Sequence, residues 1–295
     1  MVGRQLLLSS LFAASVHADN LRFMMTYDYD SSEVDWLTVI SGDGANMTTM
    51  VEAHSRDPLL QGMPLLPNTI FDRAHRTLHP AWREKTTAFI KTVQPGIANG
   101  TFVGIFIGDE IVCSGTPLSN FTSVLNVLRA GLGSRAVLYA NECSEIQSWP
   151  AVPEALDYIS LDYYDEHTTN GTLEADKDRQ FYKKYVYPKL HAHQGVLLVP
   201  GIFASDPAHC AEGNMSCPLG AQAVQVVRKL DKMFEWAKRD PRVYGFNPWH
   251  FGNRSRSQFP GWWDQRLGAI AMPSVVSKLR EIGMHIRQSK KDVFI

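Results

Sequence analysis

Short apolar runs alternate with longer amphipathic stretches along most of the chain. Eight of the runs are short and largely apolar, a pattern that is typical of buried strands. The predicted strands are residues 21–27, 36–40, 64–66, 102–107, 136–140, 158–161, 196–199 and 243–246.

Between the later strands, apolar side chains recur at the spacing of a helix face. The four faces are Trp82, Thr86, Phe89, Ile90 and Val93; Phe121, Leu125, Leu128 and Leu132; Val226, Val227, Leu230, Met233, Phe234 and Ala237; and Val275, Val276, Leu279 and Ile282. Gly283 is predicted to end the last helix. This alternation predicts an α/β fold with a single (β/α)8 TIM barrel over residues 19–295. An open doubly wound sheet is the competing arrangement, but no Gly-rich phosphate loop follows the first strand.

The N-terminus has the pattern of a secretory signal peptide. Arg4 precedes an apolar stretch, residues 6–14, and small residues then lead up to Asp19. This order predicts cleavage after Ala18, so that residues 1–18 are removed and the mature chain is secreted. No later segment has the eighteen apolar residues that a membrane span needs, so we expect a soluble protein.

Two other features fit the secretory route. Six Asn-x-Ser/Thr sites are candidate glycosylation sites: Asn46, Asn99, Asn120, Asn170, Asn214 and Asn253. The four cysteines, Cys113, Cys143, Cys210 and Cys217, fit disulfides in an oxidising compartment. Cys210 and Cys217 would close a small loop and Cys113 and Cys143 would link neighbouring loops, but four cysteines allow three connectivities.

Charge and metal-ligand patterns exclude several function classes. The net charge is −1 and there is no basic stripe to hold a phosphate backbone, so nucleic acid is not an expected partner. The basic tail, residues 287–291, is predicted to be a solvated end. No Cys-x-x-Cys or interleaved His pattern indicates a metal centre, and we expect no metal and no cofactor.

Polar residues follow the predicted strands at the points where they end. In a barrel these ends meet on one face, where the chemistry is placed. The candidates are Tyr27, Asp28, Asn68, Asp109, Glu110, Asn141, Glu142, Asp162, Tyr164, Asn247 and Trp249. The face is rich in carboxylates and aromatic rings and poor in Lys, Arg and His. Carboxylate pairs can divide acid and base work, and aromatic rings suit stacking on a sugar ring.

Each candidate catalytic residue has a structural alternative. Glu110 is the predicted proton donor, or else a carboxylate at a helix start. Asp109 points into the site or caps the next loop, because neighbouring strand residues face opposite ways. Asp162 and Glu142 are candidates for the second carboxylate. The structural alternative for Asp162 is a partner for the barrel backbone, and for Glu142 it is a solvated loop residue.

The candidate binding residues are predicted to line the substrate. They are Tyr27, Asp28, Asn68, Tyr164, Asn247 and Trp249. Asp28 would bind sugar hydroxyls or brace the barrel, and Trp249 would form a stacking floor or pack in the core.

With these strand-end residues, the chain resembles the glycoside hydrolase superfamily of TIM barrels over its whole mature length. Glu110 lies where many such enzymes carry the acid/base. The large retaining clan usually has Asn-Glu there and a nucleophilic Glu after strand seven, whereas this chain has Asp109-Glu110 and no carboxylate in residues 199–203. A chitinase-like signature fails at Gly108, Phe106 and Val103.

The resemblance implies a secreted enzyme that cleaves glycosidic bonds in an oligo- or polysaccharide, with carbohydrate as its partner. The alternative is a carbohydrate-binding barrel without catalysis, which the absent strand-seven Glu favours. A polysaccharide lyase on the same fold is disfavoured, because the predicted site face has few basic residues.

Overall fold

The computed structural model describes residues 20–27, 35–42, 45–163, 170–205, 218–252 and 266–293. Several predictions fall outside these ranges: the signal peptide and the roles of Asp28, Tyr164, Cys210, Cys217, Asn214 and Asn253.

Strands and helices alternate through the described chain. The strands are β1 Phe23–Met24, β2 Val39–Ser41, β3 Gln61–Met63, β4 Phe71–Asp72, β5 Thr77–Leu78, β6 Gly104–Asp109, β7 Val137–Cys143, β8 Tyr158–Asp162, β9 Gly195–Leu198, β10 Ala204–Ser205, β11 Val243–Phe246 and β12 Arg266–Leu267. The α-helices are α1 Met47–Arg56, α2 Trp82–Ala98, α3 Leu118–Leu132, α4 Gly171–Phe181, α5 Leu219–Arg239 and α6 Pro273–Val293.

Six strands form a parallel sheet in the order β1-β11-β9-β8-β7-β6. Strands β2 and β3 form a separate parallel pair. This pair contacts both ends of the larger sheet. Isolated bridges join Gly62 to Phe102 and Leu65 to Phe106 on one side, and the Thr38 N–H donates to the Met24 carbonyl at 3.0 Å on the other. The predicted α/β fold with a parallel sheet is confirmed.

The strands separate two apolar clusters. The outer cluster lies between strands and helices and takes Leu138 and Ala140 from β7. The interior cluster contains only residues of strands and of the segments beside them, including Phe106 and Tyr139. Successive strand residues face opposite sides. Side chains at the carboxyl ends of the strands therefore continue either the interior cluster or the helix layer.

The eight predicted strands each have an observed counterpart, and the third shows the largest offset. It was predicted at residues 64–66, but the ladder runs over Gln61–Met63 and only the single bridge at Leu65 continues it. Pro64 has no N–H to donate to a ladder, which accounts for the break. Helix α1 escaped prediction because only Met50 and Ala53 of its ten residues are buried.

Two predictions about the C-terminus are wrong. Gly283 does not end a helix, because α6 continues to Val293. The helix packs closely on Trp36 at this position, where a Cβ would lie 2.5 Å from the Trp36 carbonyl oxygen. Two basic residues of the predicted solvated tail, Arg287 and Lys290, are buried. Arg287 donates to the Leu37 carbonyl at 2.7 Å, and Lys290 donates to Gln61 Oε1 at 2.8 Å. None of the described helices combines the length and the apolar content that crossing a lipid bilayer requires.

Candidate active site

Asp109 occupies the carboxyl end of β6 and faces the interior of the sheet. The register between β6 and β7 shifts after Phe106, so Asp109 rather than Gly108 lies opposite Asn141. Its Oδ1 accepts hydrogen bonds from Asn141 Nδ2 at 2.7 Å and from the Tyr27 hydroxyl at 3.1 Å.

The Asp109 contacts belong to a hydrogen-bond network whose members lie on, or directly follow, five strands: β1, β6, β7, β8 and β11. Ser160 donates through its hydroxyl to Asn141 Oδ1, and the Ser160 and Tyr139 hydroxyls lie 2.7 Å apart. Asn247 Nδ2 donates to the Tyr139 hydroxyl at 3.0 Å. These side chains are buried, so the network forms a fixed polar layer above the interior cluster.

Glu110 follows Asp109 in a strained conformation. Its φ is +51°, in the left-handed region that non-glycine residues seldom adopt, and its N–H donates to the Asn141 carbonyl at 2.8 Å. The side chain is half-buried. Burial and, next, the charge of Asp109 raise the pKa of Glu110, against the charge of Arg73. Arg73, between the short strands β4 and β5, donates to the Asp109 carbonyl at 2.9 Å.

Glu142 points away from the interior. Its side chain is 1% exposed; Oε1 accepts the Val112 N–H at 3.0 Å and Oε2 accepts the Cys113 N–H at 3.1 Å. Burial raises the pKa of Glu142 to about 7, although both hydrogen bonds oppose the shift. Because both oxygens are bound to backbone, Glu142 braces a loop here and does not face the site.

A disulfide lies beside Glu110. Cys113 and Cys143 are joined, with their Cα atoms 5.9 Å apart, which is one of the pairings that the sequence left open. A carboxylate oxygen of Glu110 and the two sulfur atoms all lie within 4.8 Å of one another. Among the described residues this is the one group of three side chains close enough to share a metal ion. Disulfide sulfurs are not thiolates, so the group has no metal donor set in this state.

Asp162 faces the interior at the end of β8, directly opposite Cys143 in the ladder. Two residues earlier on the same face lies Ser160, a member of the network. The Asp162 charge contributes to the raised pKa of the Tyr139 hydroxyl, after the larger effect of burial. Asp109 and Asp162 thus lie on strands that flank β7, with Asn141 between them.

The predicted binding residues fall into two groups. Tyr27 is 1% and Asn247 0% exposed, so both lie beneath the site surface as members of the network. Trp249 is half-buried, with its ring edge-on to Phe203 at 5.1 Å between centroids, and it borders the interior cluster. Asn68 is exposed in a 3-10 turn after β3.

Four candidate glycosylation sites are described. Asn46, Asn99 and Asn170 are exposed, and Asn120 is half-buried in α3. Asn46 and Asn170 also cap helices, since their side chains accept the N–H groups of Thr49 and Leu173. Occupancy of these sites stays a prediction.

Sequence reasoning missed three members of the site. Tyr139 and Ser160 precede Asn141 and Asp162 by two residues, so strand alternation alone places each pair on one face. Arg73 had no such signal, because it reaches the site from a hairpin outside the main sheet.

Comparison with known proteins gives a likeness of fold. No protein-family model matches the chain, and no curated protein matches its sequence. A solved GH113 β-1,4-mannanase is similar with a TM-score of 0.53 at 13% identity, over 90% of this chain and 98% of that one. A xylanase from Paenibacillus barcinonensis has a TM-score of 0.55 at 10% identity, over 88% and 95%. Xylanase B from Clostridium stercorarium F9 has a TM-score of 0.54 at 10% identity, over 88% and 97%.

These structures confirm, at the level of fold, the resemblance to TIM-barrel glycoside hydrolases. No sequence match identifies a family for this chain.

Proposed function

We propose that the chain is a secreted glycoside hydrolase that cleaves glycosidic bonds in an oligo- or polysaccharide, with Glu110 as the general acid. The observation that carries this proposal is the pairing of Glu110 with Asp109 at the carboxyl edge of the sheet. Glycosidic cleavage needs a carboxylic acid to protonate the leaving oxygen and usually a second carboxylate. Burial and the neighbouring Asp109 charge favour the protonated form of Glu110, which is the form that an acid requires.

Asp162 supplies the second carboxylate in this proposal. Glu142 was the other candidate, but both of its oxygens accept backbone N–H groups and its side chain lies on the helix side of β7. Asp162 lies on the interior side, across Asn141 from Asp109. Asp109 is held by Tyr27 and Asn141, and its charge adds to the effect of burial in raising the pKa of Glu110.

The remaining parts of the proposal concern fold closure, substrate contact and export. The contacts of the β2–β3 pair with β6 and β1 support closure of an eight-stranded barrel. The half-exposed Trp249 ring supports stacking on a sugar. The Cys113–Cys143 disulfide supports an oxidising compartment, and hence secretion and glycosylation.

One observation favours a second candidate, a carbohydrate-binding barrel without catalysis. The segment after β9, residues 199–204, carries no carboxylate, and Glu142 is unavailable as a replacement. In that case Glu110 would contribute a hydrogen bond to bound sugar and no proton transfer.

The test is release of reducing ends from polysaccharides, beginning with β-1,4-mannan and xylan, for which the similar enzymes are named. We expect the wild-type protein and a Glu84→Gln control, changed at an exposed glutamate of α2, to be equally active. Glu110→Gln should lose activity by a factor of about 10²–10⁴. Full activity of Glu110→Gln would overturn the acid assignment. Binding of glycans by a wild-type protein that releases no reducing ends would favour the second candidate.

A further inference from the structure

Three consecutive residues at the end of β7 bind the loop that carries Glu110. The Asn141 carbonyl accepts the Glu110 N–H at 2.8 Å. The Glu142 carboxylate accepts the N–H groups of Val112 and Cys113, and Cys143 is bonded to Cys113. The loop from Glu110 to Cys113 is therefore tied to one neighbouring strand by three hydrogen bonds and by a covalent bond.

These contacts can stabilise the strained backbone conformation of Glu110. A non-glycine residue in the left-handed region costs free energy and persists only where its surroundings fix it. Within the loop itself, the Ser114 N–H donates to the Glu110 carbonyl at 2.8 Å. The Gly115 N–H likewise donates to the Val112 carbonyl at 2.8 Å. The contacts from β7 add three bonded N–H groups, those of Glu110, Val112 and Cys113, on both sides of Ile111 along the chain.

A carboxylate is the side chain that suits position 142. Glu142 accepts two N–H groups with two oxygens, whereas a glutamine at the same place offers one acceptor and turns its NH₂ donors toward the second N–H. Keeping a carboxylate in a site that is 1% exposed is costly unless it makes such bonds. The two bonds to the loop backbone therefore point to a role for Glu142 in holding the loop.

We propose that Glu142 and the Cys113–Cys143 disulfide are positioning groups that hold Glu110 in its left-handed conformation at the carboxyl edge of the sheet. This inference rests on the proposed role of Glu110 as the general acid. Neither group touches the reacting bond. Their effect on catalysis passes through the backbone at Glu110 and through the disulfide that lies against its carboxylate.

The first test compares two leaving groups in steady-state kinetics. A sugar leaving group needs a proton, whereas dinitrophenolate leaves without one. For Glu142→Gln we expect kcat/KM on the substrate with a sugar leaving group to fall at least tenfold. We expect kcat/KM on the dinitrophenyl glycoside to stay within a factor of about two of the wild-type value. Glu145→Gln, at an exposed glutamate close by in the chain, is the matched control and should resemble the wild type. A purely structural role for Glu142 would lower both activities equally, and that result would overturn the proposal.

The second test leaves Glu142 intact and covers the case in which Glu142→Gln does not fold. A dithiol reductant passes two electrons and two protons to the disulfide, yielding the Cys113 and Cys143 thiols and the cyclic disulfide of the reductant. The reduced wild-type protein should show the same selective loss of activity on the substrate with a sugar leaving group. The double variant Cys113→Ser, Cys143→Ser should show it without reductant and should not change when reductant is added. Unchanged selectivity in the reduced protein and in the double variant contradicts the proposal.

The two proposals fail in different ways. If Glu110→Gln keeps the wild-type ratio of the two activities, the acid assignment itself is wrong. A different outcome is that Glu110→Gln loses activity selectively on the sugar leaving group while neither Glu142→Gln nor reduction of the disulfide does so. In that case the acid assignment is correct and the positioning role is wrong.

Discussion

Asn141 holds Asp109 through a hydrogen bond of 2.7 Å from Nδ2 to Oδ1, while its backbone carbonyl accepts the N–H of Glu110. One buried residue of β7 thus fixes both acidic residues at the end of β6. The relationship explains why the pair stays in place although the chain turns sharply between them.

Asn141→Ala should therefore damage stability and activity together. The substitution leaves Asp109 with the Tyr27 hydroxyl and removes the acceptor of Ser160, so we expect a loss of about 1–3 kcal/mol in the free energy of unfolding. We expect kcat to fall at least tenfold, because Asp109 loses its shorter bond. Chemical denaturation and kinetics check both effects, with Asn126→Ala on the exposed face of α3 as the control. Wild-type stability in Asn141→Ala would show that the network is not fixed.

Trp249→Ala should weaken substrate binding more than catalysis. Aromatic contacts contribute about 0.5–1.5 kcal/mol, so KM should rise roughly two- to tenfold while kcat changes little. Trp82→Ala, at a half-buried tryptophan of α2, should leave KM unchanged. A fall in kcat with constant KM in Trp249→Ala would argue against a stacking floor.

Gly283→Ala separates helix propensity from packing. Alanine favours a helix over glycine by about 1 kcal/mol, but a Cβ here would meet the Trp36 carbonyl oxygen at 2.5 Å. We expect net destabilisation by about 1–3 kcal/mol, measured by thermal or urea unfolding. Gly220→Ala in α5 is the matched control, because a Cβ there meets nothing within 4 Å and should be neutral or stabilising. A stabilised Gly283→Ala would contradict the close packing of α6 on Trp36.

Lys290 should make stability depend on pH in the alkaline range. Burial and the charge of Arg287 lower its pKa to about 8 in the folded protein, against 10.5 for the unfolded chain. Between these values the unfolded state binds more protons, so stability rises with pH, by roughly 3 kcal/mol in all. The difference in unfolding free energy between wild type and Lys290→Met should show this rise. Lys91→Met, at an exposed lysine, should run parallel to the wild type.

Strand positions were predictable because each buried run is short and bounded by polar residues. It was harder to predict which side of the sheet each strand-end residue faces. Alternation correctly pairs Asn141 with Tyr139, and it also places Glu142 on the opposite face, where both of its oxygens bind the loop. The register shift after Phe106 reverses this alternation on β6 and turns Asp109 inward. A one-residue shift reverses every later side chain. Gly108, with a φ of +147°, lies at the shift, and an isolated glycine within a strand is the one local signal of such a bulge.

Long-range contacts account for the other differences. The basic residues near the C-terminus form a polar stretch like any solvated tail, yet Arg287 and Lys290 bind the carbonyls of Leu37 and Leu59. Arg73 likewise reaches Asp109 from a distant hairpin. Such contacts depend on the packing of α6 and of β4–β5 against the sheet, which periodicity does not specify.

The most direct test of the central claim is the leaving-group dependence of Glu110→Gln. We predict that its kcat/KM on a glycoside with a sugar leaving group falls by about 10²–10⁴ relative to the wild type, while a dinitrophenyl glycoside of the same sugar is cleaved within about tenfold of the wild-type rate. Equal losses on both substrates, or no loss on either, would contradict the assignment of Glu110 as the general acid.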